Sequence, residues 1–414
     1  MTDLERQCAS AKSVARALAS AGAAEKNRAL EAIARGLTQN AGRVLEANRA
    51  DVDGARRNGM GAVLLDRLTL TPERIAGIAA GVREIALLPD PVGRSDGTVK
   101  TPEGLSIERR RVPLGVIGVI YESRPNVTVD IAALCLKAGN CAILRGGKEA
   151  FESNLALSEI IRAAISDAGL PAACVSLVTD TSRASADEMI GMTAYIDLLI
   201  PRGGAGLINH VVSSSKIPVI QTGVGNCHVY VESSADLGMA ADIIFNAKCS
   251  RPSVCNAAET LLVDRAAAAD FLPKAKALLD TKDVELRGCP ETRAIIPSAV
   301  PAGDEDYYAE FLDYILAVKV VGGIDEAIAH IGKYGSAHSD AIVTNNYALS
   351  QRFLDEVDSA AVYVNASTRF TDGGVFGLGA EIGISTQKLH ARGPMGVEHL
   401  TSTKYVIRGD GQVR

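Results

Sequence analysis

Cys255 is the residue of this chain best suited to covalent chemistry. It ends the stretch Ser250-Arg-Pro-Ser-Val-Cys255, downstream of one region of alternating strand and helix patterns and upstream of a second. A thiolate placed there could form a thioester with an acyl group and exchange it for a hydride. The chain has 8 cysteines. A single cysteine is more often a small buried side chain, so Cys255 needs chemical partners to stand out.

Two predicted strand ends carry groups that bind phosphate. Gly203 and Gly204 lie where a predicted strand turns into a helix, so backbone N–H groups there can face a phosphate. Ordinary turn chemistry explains these glycines equally well, because their spacing is not the Gly-x-Gly-x-x-Gly fingerprint. Arg145 and Lys148 end another strand and could contact a ribose and its 2′-phosphate, or form a solvated pair of charges. These cations favour NADP(H) over NAD(H) because they could bind the extra phosphate, whereas the negative charge of Glu149 favours NAD(H).

Asn126 lies just after another predicted strand, which a proline interrupts. Its side-chain amide could donate a hydrogen bond to a developing oxyanion, and one such donor contributes about 3 kcal/mol to transition-state binding. The local pattern alone favours an ordinary turn asparagine.

These residues need a scaffold of parallel strands. With 414 residues, 47% hydrophobic residues, 4% aromatic residues and no tryptophan, the composition predicts two α/β domains with small aliphatic cores. The first ninety or so residues read as helices, one of which begins at Thr71-Pro72. Short apolar runs then alternate with helices, which predicts doubly wound parallel sheets. The predicted strands are 116–121, 141–144, 175–178, 195–200 and 219–220, followed by 261–263, 317–321 and 341–343.

Residues 98–112 predict a polar hairpin, and residues 403–408 have the same character. Both are too polar for a core sheet. Polar ribbons of this kind often pair with another subunit, so we expect a homo-oligomer.

The charge pattern narrows the partners and the location. The net charge is −6 and no long basic run is present, which argues against nucleic acid. No apolar run is long enough to cross a bilayer and no signal-like start is seen, so we expect a cytoplasmic protein without membrane contact. The cysteine spacing matches neither a zinc site nor a disulfide framework, which predicts reduced thiols and no metal.

Several blocks together resemble the aldehyde dehydrogenase superfamily: 113–126, 138–140, the Cys255 segment and Phe376-Gly-Leu-Gly. Three longer blocks, at 250–257, 334–344 and 364–386, resemble the branch of that superfamily that reduces an acyl phosphate of glutamate. The resemblance covers nearly the whole chain.

The resemblance implies an NADP-dependent phosphorylating aldehyde dehydrogenase. Its reaction would be the NADPH-dependent reduction of L-glutamyl 5-phosphate to L-glutamate 5-semialdehyde, with release of phosphate, the second step of proline biosynthesis. Cys255 matches the nucleophile, Asn126 the oxyanion donor, and Glu310 resembles the glutamate that holds the nicotinamide ribose. A glutamate 5-kinase would be a possible partner, since it makes the labile substrate.

The resemblance also implies the aldehyde-dehydrogenase-like α/β fold. We expect an NADP-binding Rossmann-like domain formed by residues 1–97 and 113–234 with part of 385–402. A catalytic domain would follow at 235–384. Residues 98–112 and 403–414 would form a small oligomerisation ribbon.

One difference from hydrolytic members of the superfamily bears on mechanism. Where those enzymes carry a glutamate that activates water, this chain has Thr222 in Gln221-Thr-Gly-Val-Gly-Asn226. A missing base fits an enzyme whose thioester must meet hydride or phosphate rather than water.

The substrate's phosphate and α-carboxylate both require cations. The candidates are Arg124, Arg251 and Arg369, each of which could instead form a structural salt bridge. Arg251, Lys248 or a helix beginning after Cys255 could lower the pKa of the thiol. His338 is a candidate acid or a structural histidine.

Two other functions stay open: a semialdehyde dehydrogenase that makes a free acid or a CoA ester, and a non-catalytic binding protein with the same fold.

Overall fold

The computed structural model describes residues 1–414, apart from the side chain of Val63. The chain divides into two compact units. The first comprises Met1–Thr222, Gly377–Gly383 and Met395–Arg414. The second comprises Gly223–Phe376 and Ile384–Pro394.

The first unit begins with helices and continues as an alternation of strands and helices. Its helices are α1 (Asp3–Ala19), α2 (Ala23–Gln39), α3 (Ala41–Arg57), α4 (Ala62–Leu68), α5 (Pro72–Leu87), α6 (Pro125–Lys137), α7 (Phe151–Asp167), α8 (Arg183–Met189) and α9 (Ala205–Ser214). Its first strands are β1 (Ser95–Lys100), β2 (Ser106–Pro113), β3 (Val116–Tyr121), β4 (Cys141–Arg145), β5 (Val175–Leu177) and β6 (Leu198–Arg202). Strands β5, β4, β3 and β6 form a parallel sheet in that order.

Local sequence explains these elements and confirms several predictions. The Thr71 hydroxyl accepts a hydrogen bond from the Arg74 N–H, and Pro72 occupies the first turn, so α5 begins as predicted. Strand β3 is buried along its whole length and has the predicted bounds. Two strand predictions need correction. The strand expected at 195–200 begins at Leu198, because backbone bonds to the Met192 carbonyl fold the preceding residues into a turn. The strand expected at 219–220 is a single parallel bridge between Val219 and Leu199.

The second unit is built around a parallel sheet. Its strands are β7 (Cys227–Val231), β8 (Ala258–Asp264), β9 (Glu285–Gly288), β10 (Val300–Pro301), β11 (Ile315–Val321), β12 (Ser339–Val343), β13 (Ala361–Val364), β14 (Ile384–Ser385) and β15 (Gly393–Pro394). Its helices are α10 (Leu237–Cys249), α11 (Arg265–Leu279), α12 (Pro290–Ile295), α13 (Asp304–Tyr308), α14 (Ile324–Tyr334) and α15 (Tyr347–Glu356). The main sheet has the order β10-β9-β11-β8-β7-β12-β13 and parallel pairing throughout. Apolar side chains of α10, α11 and the central strands form its largest core cluster.

The observed division of the chain differs from the boundary expected at residue 234. Strand β7 pairs with β8 and β12 in the second unit, so the division falls after Thr222 instead. The roles expected for the two domains stay predictions.

A small antiparallel sheet completes the first unit. Strand β2 pairs with β1 on one side and with the C-terminal strand β16 (Thr401–Arg408) on the other. The hairpin predicted at 98–112 is therefore present. Val99, Tyr405 and Ile407 are more than half exposed on it. Its predicted role in oligomerisation stays a prediction.

The helices of the described chain are too short or too polar to cross a lipid bilayer.

Candidate active site

Cys255 lies half-buried in a turn between α10 and β8. Of the eight cysteines, Cys289 is the other one that is not fully buried. The Cys289 sulfur caps α12, since it accepts hydrogen bonds from the backbone N–H groups of Thr292 and Val320. Cys255 is thus the cysteine that combines solvent access with a place in a turn.

The main chain of Cys255 is held from two directions. A Cβ atom added to Gly225 would overlap the Cys255 carbonyl, so only glycine fits at that position. The Cys227 thiol, which is fully buried, donates a hydrogen bond to the same carbonyl oxygen over 3.2 Å. The backbone at Cys255 is therefore fixed.

The next residue, Asn256, is also held at both its side chain and its carbonyl. Its Nδ2 donates to the Thr371 carbonyl over 2.9 Å, and the Arg369 guanidinium donates to its Oδ1. The Thr368 hydroxyl donates to the Asn256 carbonyl over 2.7 Å. Residues 368–371 therefore anchor the turn that follows Cys255.

Two of the three arginines expected to bind substrate lie in this unit. Arg369 is half-buried and donates through Nε to the Ser250 hydroxyl over 3.0 Å, while Arg251 is exposed. Burial lowers the pKa of the Arg369 guanidinium, and the charge of Arg251 lowers it further, while the neighbouring Cys255 raises it. The structure thus brings two guanidinium groups and the Cys255 thiol together. The third arginine, Arg124, is half-buried in the first unit and immediately precedes α6.

Two expected sources of thiol activation are wrong. The ammonium group of Lys248 is fully buried and lies 2.5 Å from the Glu259 carboxylate, so its charge is paired there. The described residues after Cys255 form a turn and then β8, so no helix begins directly after Cys255 in the chain. Of the three candidate sources, Arg251 therefore remains as the cation that could lower the pKa of the Cys255 thiol.

Glu310 is half-buried in the segment between α13 and β11. Its Oε1 accepts a hydrogen bond from the Gly225 N–H over 2.7 Å. Because Gly225 also contacts the Cys255 carbonyl, the Glu310 carboxylate is joined to the nucleophile through one residue.

His338 has the surroundings of a structural histidine. It is fully buried, and its Nδ1 lies 2.8 Å from the Ser339 hydroxyl and 3.7 Å from the Cys227 sulfur. Burial lowers its pKa to about 4, so it is neutral near pH 7.

In the first unit, Asn126 lies in the first turn of α6, as its sequence position after Pro125 suggested. Its Nδ2 donates to the Asp130 carboxylate, one helical turn away, over 2.9 Å. This bond fixes the orientation of the amide and leaves the second N–H of Nδ2 for another acceptor. Burial raises the pKa of Asp130 to about 6, which the Asn126 hydrogen bond and Arg202 partly oppose.

Thr222 is buried, and its hydroxyl donates to the Pro201 carbonyl over 3.0 Å. A neutral hydroxyl is too weak a base to take a proton from water, so Thr222 cannot act as a general base.

The glycines at the end of β6 form an exposed turn into α9. The Gly204 N–H donates to the Glu122 carboxylate over 3.0 Å, and Glu122 is exposed. A Cβ on Gly203 would overlap that carboxylate. The turn thus already binds one anionic group at the N-terminus of a helix.

Arg145 and Lys148 lie at the end of the neighbouring strand β4 and differ in exposure. The Arg145 guanidinium is buried and donates to the carbonyls of Thr181 and Ser182 over 2.7 Å each. Lys148 is exposed. The structure therefore gives Arg145 the role of a loop anchor and leaves Lys148 open to a ligand.

This strand edge fits a nicotinamide dinucleotide. The carboxyl ends of β4 and β6 carry an exposed cation and an anion-binding glycine turn, the two features that a pyrophosphate and a ribose phosphate require. Strands β4 and β6 flank β3 in the sheet, so both features lie on one edge.

Sequence reasoning missed several residues of these sites: Gly225, Cys227, Asn256, Asp130 and Glu122. The spacing of Asn126 and Asp130, i and i+4 on a predicted helix, could have identified that pair. Cys227 and Asn256 carried no signal, because their contacts are with residues distant in sequence.

Comparison with known proteins agrees with this geometry. The model of the aldehyde dehydrogenase family matches residues 1–292. The gamma-glutamyl phosphate reductase of Carboxydothermus hydrogenoformans is 59% identical over 404 residues, which cover 98% of this chain and 97% of the relative. That of Halothermothrix orenii is 59% identical over 389 residues, 94% of this chain and 93% of the relative. The crystal structure of the Thermotoga maritima gamma-glutamyl phosphate reductase superposes with a TM-score of 0.97 and 48% identity, covering both chains completely.

The fold and these full-length similarities lead to one assignment: the chain belongs to the aldehyde dehydrogenase family and, within it, to the gamma-glutamyl phosphate reductases.

Proposed function

We propose that the protein reduces L-glutamyl 5-phosphate to L-glutamate 5-semialdehyde and releases phosphate through a thioester on Cys255. The observation that carries this proposal is the half-buried Cys255 with the guanidinium groups of Arg369 and Arg251 beside it. A nearby cation lowers the pKa of a thiol, and guanidinium groups bind phosphate through strong, charge-assisted hydrogen bonds. The names of the relatives reported above support the substrate.

In the first step the Cys255 thiolate attacks the acyl carbon. A carbon–sulfur bond forms, the bond from that carbon to the phosphate oxygen breaks, and phosphate leaves with the electron pair. We assign Arg251 and Arg369 to the phosphate, and Arg124 to substrate binding as well. Asn126 donates its free amide N–H to the oxyanion, and Asp130 orients it for this task.

The protein is an enzyme that uses a nicotinamide cofactor and a small-molecule substrate. When bound, the cofactor supplies the hydride that brings the acyl group to the aldehyde. We assign the pyrophosphate to Gly203 and Gly204, the nicotinamide ribose to Glu310, and the 2′-phosphate of NADP(H) to Lys148. Arg145 supports this site by holding the loop at Thr181 and Ser182.

Protection of the thioester from water follows from Thr222. A glutamate at that position would activate water and convert the thioester to the free acid. The Thr222 hydroxyl is instead committed to a backbone carbonyl. This favours the phosphate-linked reaction over an acid-forming dehydrogenase.

We also propose a cytoplasmic homo-oligomer. All eight cysteines are free thiols, as a reducing compartment requires. The exposed apolar side chains of the β1-β2-β16 sheet would be covered by another subunit. A glutamate 5-kinase is the partner we propose for supply of the labile acyl phosphate.

The reverse reaction tests the function. Purified protein is given L-glutamate 5-semialdehyde and NADP or NAD, with and without phosphate, and cofactor reduction is followed. We expect reduction that requires phosphate and prefers NADP. Equal turnover without phosphate would favour the acid-forming alternative.

Cys255→Ala separates an enzyme from a binding protein of the same fold. We expect turnover to disappear while circular dichroism and the thermal midpoint stay at the wild-type values. Unchanged turnover would remove Cys255 from the mechanism.

A further inference from the structure

Lys248 and Glu259 form an ion pair with no solvent contact. Lys248 lies at the end of α10, before the nucleophile, and Glu259 lies in β8, after it. Both side chains are 0% exposed, and the Lys248 Nζ is 2.5 Å from the Glu259 Oε2. The pair therefore links the two segments that flank the Cys255 turn.

The second oxygen of Glu259 reaches a third segment. Its Oε1 accepts a hydrogen bond from the Leu312 N–H over 3.1 Å. Leu312 has a φ of 54°, a left-handed conformation that is unfavourable for a side chain with a Cβ. A local contact must hold it there, and the Glu259 carboxylate provides one.

Leu312 lies two residues after Glu310, whose own carboxylate accepts from the Gly225 N–H. The Glu310 segment is thus fixed at two points, at Gly225 and at Glu259. The negative charge of Glu310 also acts on Glu259, which places the two carboxylates close together.

A buried ion pair is not needed for stability alone, since apolar pairs of similar volume often stabilise a protein equally well. The Lys248–Glu259 pair does something that apolar residues cannot, because only an acceptor can hold the Leu312 N–H. The ammonium group favours the charged form of that acceptor and so opposes desolvation, which raises the pKa of Glu259.

We propose that Lys248 and Glu259 are positioning residues: through the Leu312 N–H they hold the Glu310 segment in place against the segments that flank Cys255. The proposal rests on the role assigned above to Glu310 in binding the nicotinamide ribose. Loss of the Leu312 bond should therefore weaken cofactor binding more than it changes the reactivity of the thiol.

The test compares two double variants. A single change would leave one charge buried without its partner and would destabilise the fold strongly. Lys248→Met with Glu259→Gln keeps an oxygen acceptor for Leu312, whereas Lys248→Met with Glu259→Met removes it at nearly the same volume. We expect the KM for NADPH to be at least about tenfold higher in the Met/Met variant than in the Met/Gln variant, as for a lost hydrogen bond to a buried group. The rate of Cys255 alkylation by iodoacetamide should be the same in both. Equal KM values in the two variants, or a loss of alkylation that accompanies the KM change, would overturn the proposal.

Hydrogen exchange in the wild-type protein gives a second test that needs no variant and no activity. We expect the Leu312 amide to be protected as strongly as the amides of β8, and rapid exchange at Leu312 would refute the anchor. The hydrogen-exchange result tests the Glu259–Leu312 anchor and does not depend on the identity of the substrate. Failure of the phosphate-dependent assay would refute the proposed function and would leave the anchor itself untouched.

Discussion

The Cys255 turn in the second unit and the Gly203–Gly204 turn in the first unit are built in opposite ways. In the Cys255 turn, the carbonyls of Cys255 and Asn256 each accept a hydrogen bond from a side chain, and Gly225 packs against the Cys255 backbone. In the Gly203–Gly204 turn, both glycines are exposed, and the Gly204 N–H donates to the exposed side chain of Glu122.

The difference reflects what each turn has to do. A nucleophile must meet its target within a fraction of an ångström, and a misplacement of 1 Å can lower a rate about a hundredfold. A phosphate site needs backbone N–H groups that can give up a hydrogen bond to one partner and donate to the phosphate instead. We therefore expect changes at the Cys255 turn to have large effects on rate, and changes at the glycine turn to have small effects on cofactor affinity.

The largest effect should come from Gly225→Ala. The added methyl group would overlap the Cys255 carbonyl, so the nucleophile must move. We expect kcat to fall at least about a hundredfold, with circular dichroism showing that the protein is still folded. Steady-state kinetics of the phosphate-dependent reaction measure the change.

Gly332→Ala is the matched control in the same unit. Gly332 lies within α14, and an added Cβ there meets no atom within 4 Å. We expect normal kcat and a free energy of unfolding up to about 1 kcal/mol higher, since alanine favours a helix. Equal losses of activity in both variants would mean that the Cys255 turn is not specially sensitive.

Asn126→Ala should have the next largest effect. Removing one oxyanion donor typically lowers kcat about a hundredfold or more. The KM for the substrate should change little, because the donor acts on the transition state. A change confined to KM would place Asn126 in ground-state binding instead.

Asp130→Asn tests how Asn126 is oriented. Burial raises the pKa of Asp130 to about 6, so the carboxylate that accepts from Asn126 becomes protonated as the pH falls through about 6. We expect wild-type kcat to decrease below that pH, because a neutral carboxyl group is a weaker acceptor than a carboxylate, and kcat of Asp130→Asn to be low and independent of pH in this range, because its amide is neutral and does not titrate. Matching pH profiles of the two proteins would exclude this role.

The sequence predicted the parallel sheets because they depend on local patterns, and the proposal that Cys255 is the nucleophile depends on local residues as well. Apolar runs of strand length identified β3 and β4, and the residues around Cys255 resembled a known family. It could not distinguish Arg145 from Lys148, since both are cations after the same strand. Burial separates them: Arg145 bonds to carbonyls nearly forty residues away, and such contacts leave no local pattern.

The two cations at and just after the end of β4, Arg145 and Lys148, should accordingly respond differently. Lys148→Ala should raise the KM for NADPH about tenfold without raising that for NADH, as for the loss of one charge-assisted phosphate contact. Arg145→Met should instead lower the free energy of unfolding by about 2 kcal/mol, because the carbonyls of Thr181 and Ser182 lose their donor. Steady-state kinetics with both cofactors measure the first effect, and urea unfolding measures the second. If the Arg145 variant had normal stability and a selective loss of NADPH binding, Arg145 rather than Lys148 would be the phosphate ligand.

The smallest effect should come from Glu122→Gln. The Glu122 carboxylate accepts the Gly204 N–H that we assign to the cofactor pyrophosphate, so the two anions compete for one donor. A negative charge at an exposed helix N-terminus contributes about 0.3–1 kcal/mol, and its removal should lower the KM for NADPH by about two- to fivefold. The gain should shrink at high salt, which screens the charge. A higher KM in Glu122→Gln would mean that the carboxylate helps to build the glycine turn, which would then be as firmly fixed as the turn around Cys255.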